Sequence, residues 1–132
     1  VIFVESHHAA VALIRKNLAA LDISAGAEVL ALDARRGLRE LVRRGARADF
    51  VFLDPPYAKA HEYSEALEFL SGAALLTPQG CVIAEHARRL KLPARIAALE
   101  RVREVEQGDS ALSFYRPARA TPRETSADEL EA

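Results

Sequence analysis

Apolar residues fall along the chain in short runs free of breakers, separated by longer segments in which apolar and polar residues mix. The runs are Val1-Ile2-Phe3-Val4, Glu28-Val29-Leu30-Ala31-Leu32, Ala48-Asp49-Phe50-Val51-Phe52-Leu53 and Cys81-Val82-Ile83-Ala84. The third is the clearest, a stretch of β-formers with the pattern of a strand buried on both faces. Between the runs, helices are predicted over 8–21, 34–44 and 62–70. The first has Ser6 as its N-cap and Ala9, Ala12, Leu13, Lys16 and Ala20 near one face. Asn17 falls inside it, where low propensity asks for a packing or polar partner. The second helix turns Leu38, Leu41 and Val42 inward and Arg35, Arg36, Arg39 and Arg43 mostly outward, with Gly45 as its C-cap. The third carries Ala66, Leu67, Phe69 and Leu70 as apolar positions.

Leu76-Thr77-Pro78-Gln79-Gly80 reads as a turn, and 88–96 as a weakly structured stretch interrupted by Pro93. Strands over 99–106 and 111–116, joined through Gln107-Gly108-Asp109-Ser110, give a hairpin signal. From Pro117 the composition turns to Pro, Thr, Ser, Glu and Arg, so 117–132 is expected to be a disordered tail. Strand alternating with helix, then a closing hairpin, is the order of a doubly wound α/β sheet, mostly parallel with an antiparallel C-terminal hairpin.

Composition narrows the class. At 132 residues and 50% hydrophobic, the chain fits one domain with a real core. Cys81 is the single cysteine and reads as core filler, so no disulfide or cysteine-based metal site can form within the chain. That favours a reducing, cytoplasmic setting. No run is long enough to span a membrane, and the start does not resemble a signal peptide. The net charge of -1 excludes a general polycation. Lys16, Lys59 and Lys91 are the only lysines, and arginine, the commoner base, is the better residue for forked phosphate contacts. High-GC coding would produce the same excess. The chain has no methionine and opens at Val1 inside a strand-like run, so it is expected to be a fragment.

The third run stops at Asp54-Pro55-Pro56-Tyr57. Asp54 can accept hydrogen bonds from an amino group. Pro55 and Pro56 fix φ and have no N–H, so neighbouring carbonyls stay free to face a ligand. Tyr57 offers a ring on which a nucleobase could stack. A strand ending in a plain Pro-Pro turn is the bland alternative. The wider pattern tilts the balance, because the four strand runs are followed by Glu5, Asp33, Asp54 and Glu85. In a parallel sheet these carboxylates would gather on one edge, where open α/β sheets bind ligands. Elsewhere, His7 and His8 lack a third ligand and no metal site is expected. His61 and His86 read as solvated. The arginines of the second helix read as a solvated face, with RNA backbone contact as the alternative.

Phe3-Val4-Glu5, Asn17-Leu18, Asp33-Ala34, Asp54-Pro55-Pro56-Tyr57, Glu85 and Gly108-Asp109-Ser110-Ala111-Leu112 occur in this order. The series resembles the bacterial 16S rRNA guanine-N2 methyltransferases of the RsmD type, which use S-adenosylmethionine. The resemblance runs from Val1 to about Arg116, giving 1–116 as the C-terminal portion of a methyltransferase domain with a Rossmann-like sheet. It implies Glu5, with Ser6 beside it, at the ribose hydroxyls of the cofactor. It implies Asp33 and Ala34 near the adenine, and Asp54 and the Pro55 carbonyl as acceptors for the target amine, with Pro56 completing the turn. Tyr57 is implied as the ring stacked on the target base. It also implies a strand and a glycine-rich turn ahead of Glu5 that hold the methionine half of the cofactor, and a substrate-binding segment before them. Neither is present, and the glycines here are scattered. In the family's sheet that first strand lies between the strands ending at Glu5 and Asp54, so no ladder is expected between Val1–Val4 and Phe50–Leu53. Edge pairing between copies would follow in a family otherwise monomeric.

The implied partner is 16S rRNA or the small ribosomal subunit, with no membrane. A DNA adenine-N6 methyltransferase shares Asp-Pro-Pro-Tyr, but no target-recognition insertion follows Tyr57. A binding or scaffold domain that has lost catalysis also fits. A dinucleotide oxidoreductase would explain Glu5 but not the residues from Asp54 to Tyr57.

Overall fold

The computed structural model describes residues 1–55 and 60–119, and in it each breaker-free run forms a strand. In chain order the elements are β1 (Ile2–Val4), α1 (His8–Ala20), β2 (Glu28–Leu30), α2 (Ala34–Arg43), β3 (Ala48–Leu53), α3 (Ala60–Gly72), β4 (Leu76–Ala87), β5 (Arg95–Ile96), β6 (Leu99–Gln107) and β7 (Ser110–Pro117). Parallel ladders join β1 to β2 and β3 to β4, while β4, β7, β6 and β5 continue antiparallel. The strands form two sheets, β1-β2 and β3-β4-β7-β6-β5. No ladder joins β1 to β3, as expected, so each has one unpaired edge among the described residues.

One apolar cluster nevertheless spans both sheets. It runs from Leu30 and Leu41 through Leu67, Leu70 and Leu75 to Val82, Leu99 and Tyr115. Helices α2 and α3 both feed it, so they share a face. At its far end, the buried Tyr115 hydroxyl donates to the Pro93 carbonyl at 2.7 Å. An Arg35–Glu65 ion pair at 3.2 Å adds a surface link between the helices.

Local chemistry explains where the elements stop. Asp33 caps α2, its Oδ1 accepting from the Arg36 N–H at 2.9 Å. At the other end Gly45 takes φ +70, and the N–H groups of Gly45 and Ala46 donate to the carbonyls of Val42 and Leu41. That is the Schellman arrangement, one residue past the Arg44 C-cap. Gly37 faces β1, where any Cβ would run into the Val4 side chain, so α2 lies as close to β1 as glycine allows. The hairpin turn is two residues long, with Gly108 at φ +58 and Gln107 paired to Ser110. A positive φ at the first turn residue alone is the pattern of a II′ hairpin, which suits the strand twist.

Several expectations need correction. The N-cap of α1 is His7 without a side-chain bond, and Ser6 is exposed. The inward face of α1 is Val11, Ile14 and Leu18, while Leu13 is 57% exposed. On an alanine-rich helix two faces look alike, and the bulkier i, i+3, i+7 stripe wins. Val42 faces out, leaving Leu41 buried with Leu38 beside it. Strand β3 buries one face only: Val51 and Leu53 pack against the core, while Phe50 at 73% and Phe52 at 57% exposure stand on the face left uncovered among the described residues.

The predicted turn at 76–80 lies inside β4. Ala48 pairs with Leu76 and Phe50 with Cys81, so the intervening residues bulge out of register. Thr77 donates from its hydroxyl to Asp49 Oδ1 at 2.9 Å across that bulge. Strand β5 emerges from the stretch expected to be weakly structured, pairing Ile96 with Leu99. Cys81 is buried, as expected, and burial pushes its thiol up. Among the described residues no helix is long and apolar enough to cross a membrane. The expected tail falls largely outside the described residues.

Candidate active site at the carboxyl edge

Strand β3 ends at Leu53 and hands the chain to Asp54, which is exposed, and Pro55, which is half-buried. Leu53 pairs with Ala84 on the parallel neighbour β4, so Asp54 emerges beside Glu85. Pro56 and Tyr57 lie outside the described residues. Glu85 is not the end of its strand, because pairing with β7 carries β4 on to Ala87 opposite Ser110.

Beneath this corner sits Tyr63, from the first part of α3. Its ring is 4% exposed, and its hydroxyl donates to the Glu85 carbonyl at 2.6 Å. Burial, and then the negative charges of Asp54, Glu85 and Glu62, push the phenol above its ordinary 10.0. The Asp54 and Glu85 carboxylates therefore both act on one buried phenol, which ties α3 to β4 directly below the site. Tyr63 also packs with Ala84, Leu92 and Leu53, the residue preceding Asp54. Sequence reading missed it, although Tyr63, Leu67 and Leu70 make an i, i+4, i+7 stripe.

The other half of the acid row follows β1 and β2. The Glu5 N–H donates to the Leu30 carbonyl at 3.1 Å, extending the pairing one residue past β1. Glu5 is half-buried, and its Oε1 accepts from the His7 N–H at 2.9 Å. Asp33 similarly commits Oδ1 to capping α2, whose first residue is the exposed Ala34. Among the described residues, neither carboxylate's second oxygen has a hydrogen-bond donor. Asp54 and Glu85 thus meet on the β3–β4 pair, and Glu5 and Asp33 follow the β1–β2 pair, with no ladder between the pairs.

His86 is the histidine that sequence reading misplaced. It is 4% exposed, with Nε2 at 2.8 Å from Ser113 Oγ and Nδ1 at 2.9 Å from the Ala87 carbonyl. Both nitrogens face hydrogen-bonding groups inside the sheet, and the ring meets Tyr63 edge-on at 6.2 Å. This satisfied pair braces the floor of the corner. His61 is exposed, as expected.

Comparison with known proteins gives a consistent picture. A Bacillus subtilis protein described as "Putative rRNA methyltransferase YlbH" is 30% identical over 115 residues, which cover 87% of this chain and 62% of that protein. The chain therefore spans less than two thirds of the length of that relative. A structure of a "conserved hypothetical protein" from Streptococcus pyogenes matches with a TM-score of 0.77 and 29% identity, over 89% of this chain and 71% of the other. A structure described as "Putative methyltransferase yhhF" from Escherichia coli matches with a TM-score of 0.72 and 23% identity, over 89% of this chain and 63% of the other. The fold is the Rossmann-like methyltransferase fold. Residues 1–116 match the family described as "Conserved hypothetical protein 95", and with the RsmD-type residue series in place the chain belongs to that family.

Proposed function

We propose that this chain carries the acceptor half, and part of the cofactor half, of an S-adenosylmethionine-dependent RNA methyltransferase. The target is the exocyclic N2 amine of a guanine in 16S rRNA, free or in the small ribosomal subunit. The observation that carries this reading is Asp54-Pro55 leaving the carboxyl end of β3 beside Glu85, in parallel register. The name given to the Bacillus subtilis relative points to the same substrate class.

The residues fit the cofactor chemically. A nucleoside presents hydroxyl and amino donors, and Glu5 and Asp33 each have, among the described residues, one carboxylate oxygen left to accept after satisfying a backbone N–H. Glu5 would take the ribose hydroxyls, with Ser6 next to it, and Asp33 with Ala34 would lie by the adenine. When bound, the cofactor supplies an electrophilic methyl group on a sulfonium.

The chain's task is to make a poor nucleophile competent. The lone pair of a guanine N2 amine is conjugated into the ring. Acceptors at Asp54 and the Pro55 carbonyl hold its two N–H bonds and favour the geometry in which that pair localises. Asp54 would then take the proton that the amine gives up on methylation and pass it to water. Positioning and electrostatics suffice for such a methyl transfer. The base must first leave any stack, and the resemblance assigns Tyr57 as its stacking platform.

Radiolabelled methyl transfer to naked 16S rRNA, assembled small subunits and duplex DNA tests the reading, with digestion to nucleosides to identify the product. N2-methylguanosine from either RNA substrate is expected. N6-methyladenine in DNA, or no transfer to any substrate by the protein that carries this chain together with the glycine-rich cofactor segment, would overturn it.

A further inference from the structure

Directly past the acid row, the chain turns at Ala87-Arg88-Arg89-Leu90-Lys91, and Ala87, Arg88, Arg89 and Lys91 border an open surface depression of about 610 Å3 with Asp109 of the β6–β7 turn. Three cations and one carboxylate line it. Arg88 is engaged, its Nε 3.0 Å from Glu106 Oε2. Arg89 and Lys91 are exposed, and neither forms an ion pair among the described residues.

What separates this pair from a solvated face is its mounting. The Leu90 N–H donates to the Ala87 carbonyl at 2.9 Å, closing the turn. The Arg88 N–H donates to the Asp109 carbonyl at 2.8 Å, fixing the turn to the hairpin. Leu90 and Leu92 alternate with the two cations and pack inward against Tyr63, Ala84 and Leu53. Leu53 immediately precedes Asp54. One apolar cluster therefore anchors the backbone on both sides, at the turn that carries the cations and at Leu53 before Asp54, on a chain whose net charge of -1 gives no general attraction for polyanions.

We infer that Arg89 and Lys91 form a docking point for the RNA backbone, gripping phosphates next to the base presented to Asp54. The inference rests on the RNA methyltransferase reading for the identity of its ligand. A forked guanidinium and a mobile ammonium side by side suit neighbouring phosphates of a single strand. Such contacts position the nucleic acid without reading its sequence.

The test is binding of a fluorescein-labelled single-stranded RNA of about 20 nucleotides, longer than the usual site of one single-strand-binding fold. Anisotropy is followed across a salt titration for the parent chain and two double variants. Arg89→Glu/Lys91→Glu reverses the proposed pair, and Arg36→Glu/Arg39→Glu makes the same charge change on α2. The first should weaken binding about tenfold at low salt and flatten the salt slope by about 1.4, two contacts at about 0.7 each. The second should leave the slope at its parent value. Arg89→Gln/Lys91→Gln should flatten the slope equally with a smaller loss of affinity, which a merely misfolded variant would not do. A parent chain that does not bind, an unchanged slope in the first variant, or an equal loss in the α2 variant would overturn the inference. Binding that depends on Arg89 and Lys91 without methyl transfer would uphold it while the enzymatic reading fell. Methyl transfer indifferent to these substitutions would do the reverse.

Discussion

Replacing Tyr63 by Phe removes one oxygen and leaves the ring in its cluster with Ala84 and Leu92. Apolar burial is unchanged, so the cost is that of the 2.6 Å bond to the Glu85 carbonyl. A typical intramolecular hydrogen bond contributes about 0.5–1.5 kcal/mol, and a buried acceptor left unpaired costs about 1–3 kcal/mol. About 1–2 kcal/mol is expected, a sizeable share of a domain stability of about 5–15 kcal/mol. In urea unfolding followed by far-ultraviolet circular dichroism, the midpoint should fall by roughly 1 M with the slope unchanged. The pH dependence supplies a second arm. The folded phenol titrates above its ordinary 10.0, so its contribution is complete below pH 10 and is lost as pH rises through the folded value. Parent and Tyr63→Phe should therefore differ below pH 10 and converge above it. The Tyr115 phenol is also raised, chiefly by burial, so both proteins should still lose stability in alkali. An unchanged urea midpoint, or a difference constant through the alkaline range, would refute the role given to the hydroxyl.

Other consequences are open to direct measurement. Gly37→Ala forces a methyl group into Val4, whose branched side chain has little freedom to turn aside. It should cost about 1–3 kcal/mol by overpacking despite the better helix propensity, and Val4→Ala should rescue it in urea melts. Hydrogen bonds from Arg43 and then Arg44 hold the Glu40 carboxyl down to about 2 from 4.5. Its contribution is therefore present above pH 4.5 and lost as pH falls from there toward 2. The ion pairs are exposed and the effect is small, so Glu40→Gln should flatten the acid limb of thermal stability only slightly. Phe50 and Phe52 are exposed on β3, whose outer edge is unpaired among the described residues, so the chain should self-associate with rising concentration in sedimentation velocity, and Phe52→Lys should suppress this. A parent monomeric at all concentrations would count against it.

The strand runs were legible because β-formers without breakers have few alternatives, and Asp54 and Asp33 were legible because each follows such a run directly. The one-sided burial of β3 was not, since Phe50 and Phe52 are as apolar as the inward Val51 and Leu53 and hide the alternation. His86 could not be read locally, because its partner Ser113 lies 27 residues on and meets it only through the register of β4 with β7. Tyr63 carried a weak stripe signal, but its value comes from reaching a carbonyl on another strand. The bulge in β4 looked like a turn because Pro78 and Gly80 suit both. In each case the missing information was which strand lay alongside.

The central claim is that Asp54 accepts the target amine. Methyl transfer to small-subunit RNA by the protein that carries this chain together with the glycine-rich cofactor segment, unaltered and as Asp54→Ala, with cofactor affinity measured in parallel by calorimetry, addresses it. Loss of a preorganised electrostatic partner typically lowers the rate about two to three orders of magnitude. A fall of that size is expected in Asp54→Ala, with cofactor affinity nearly unchanged. An Asp54→Ala chain that methylates RNA as fast as the parent would contradict it.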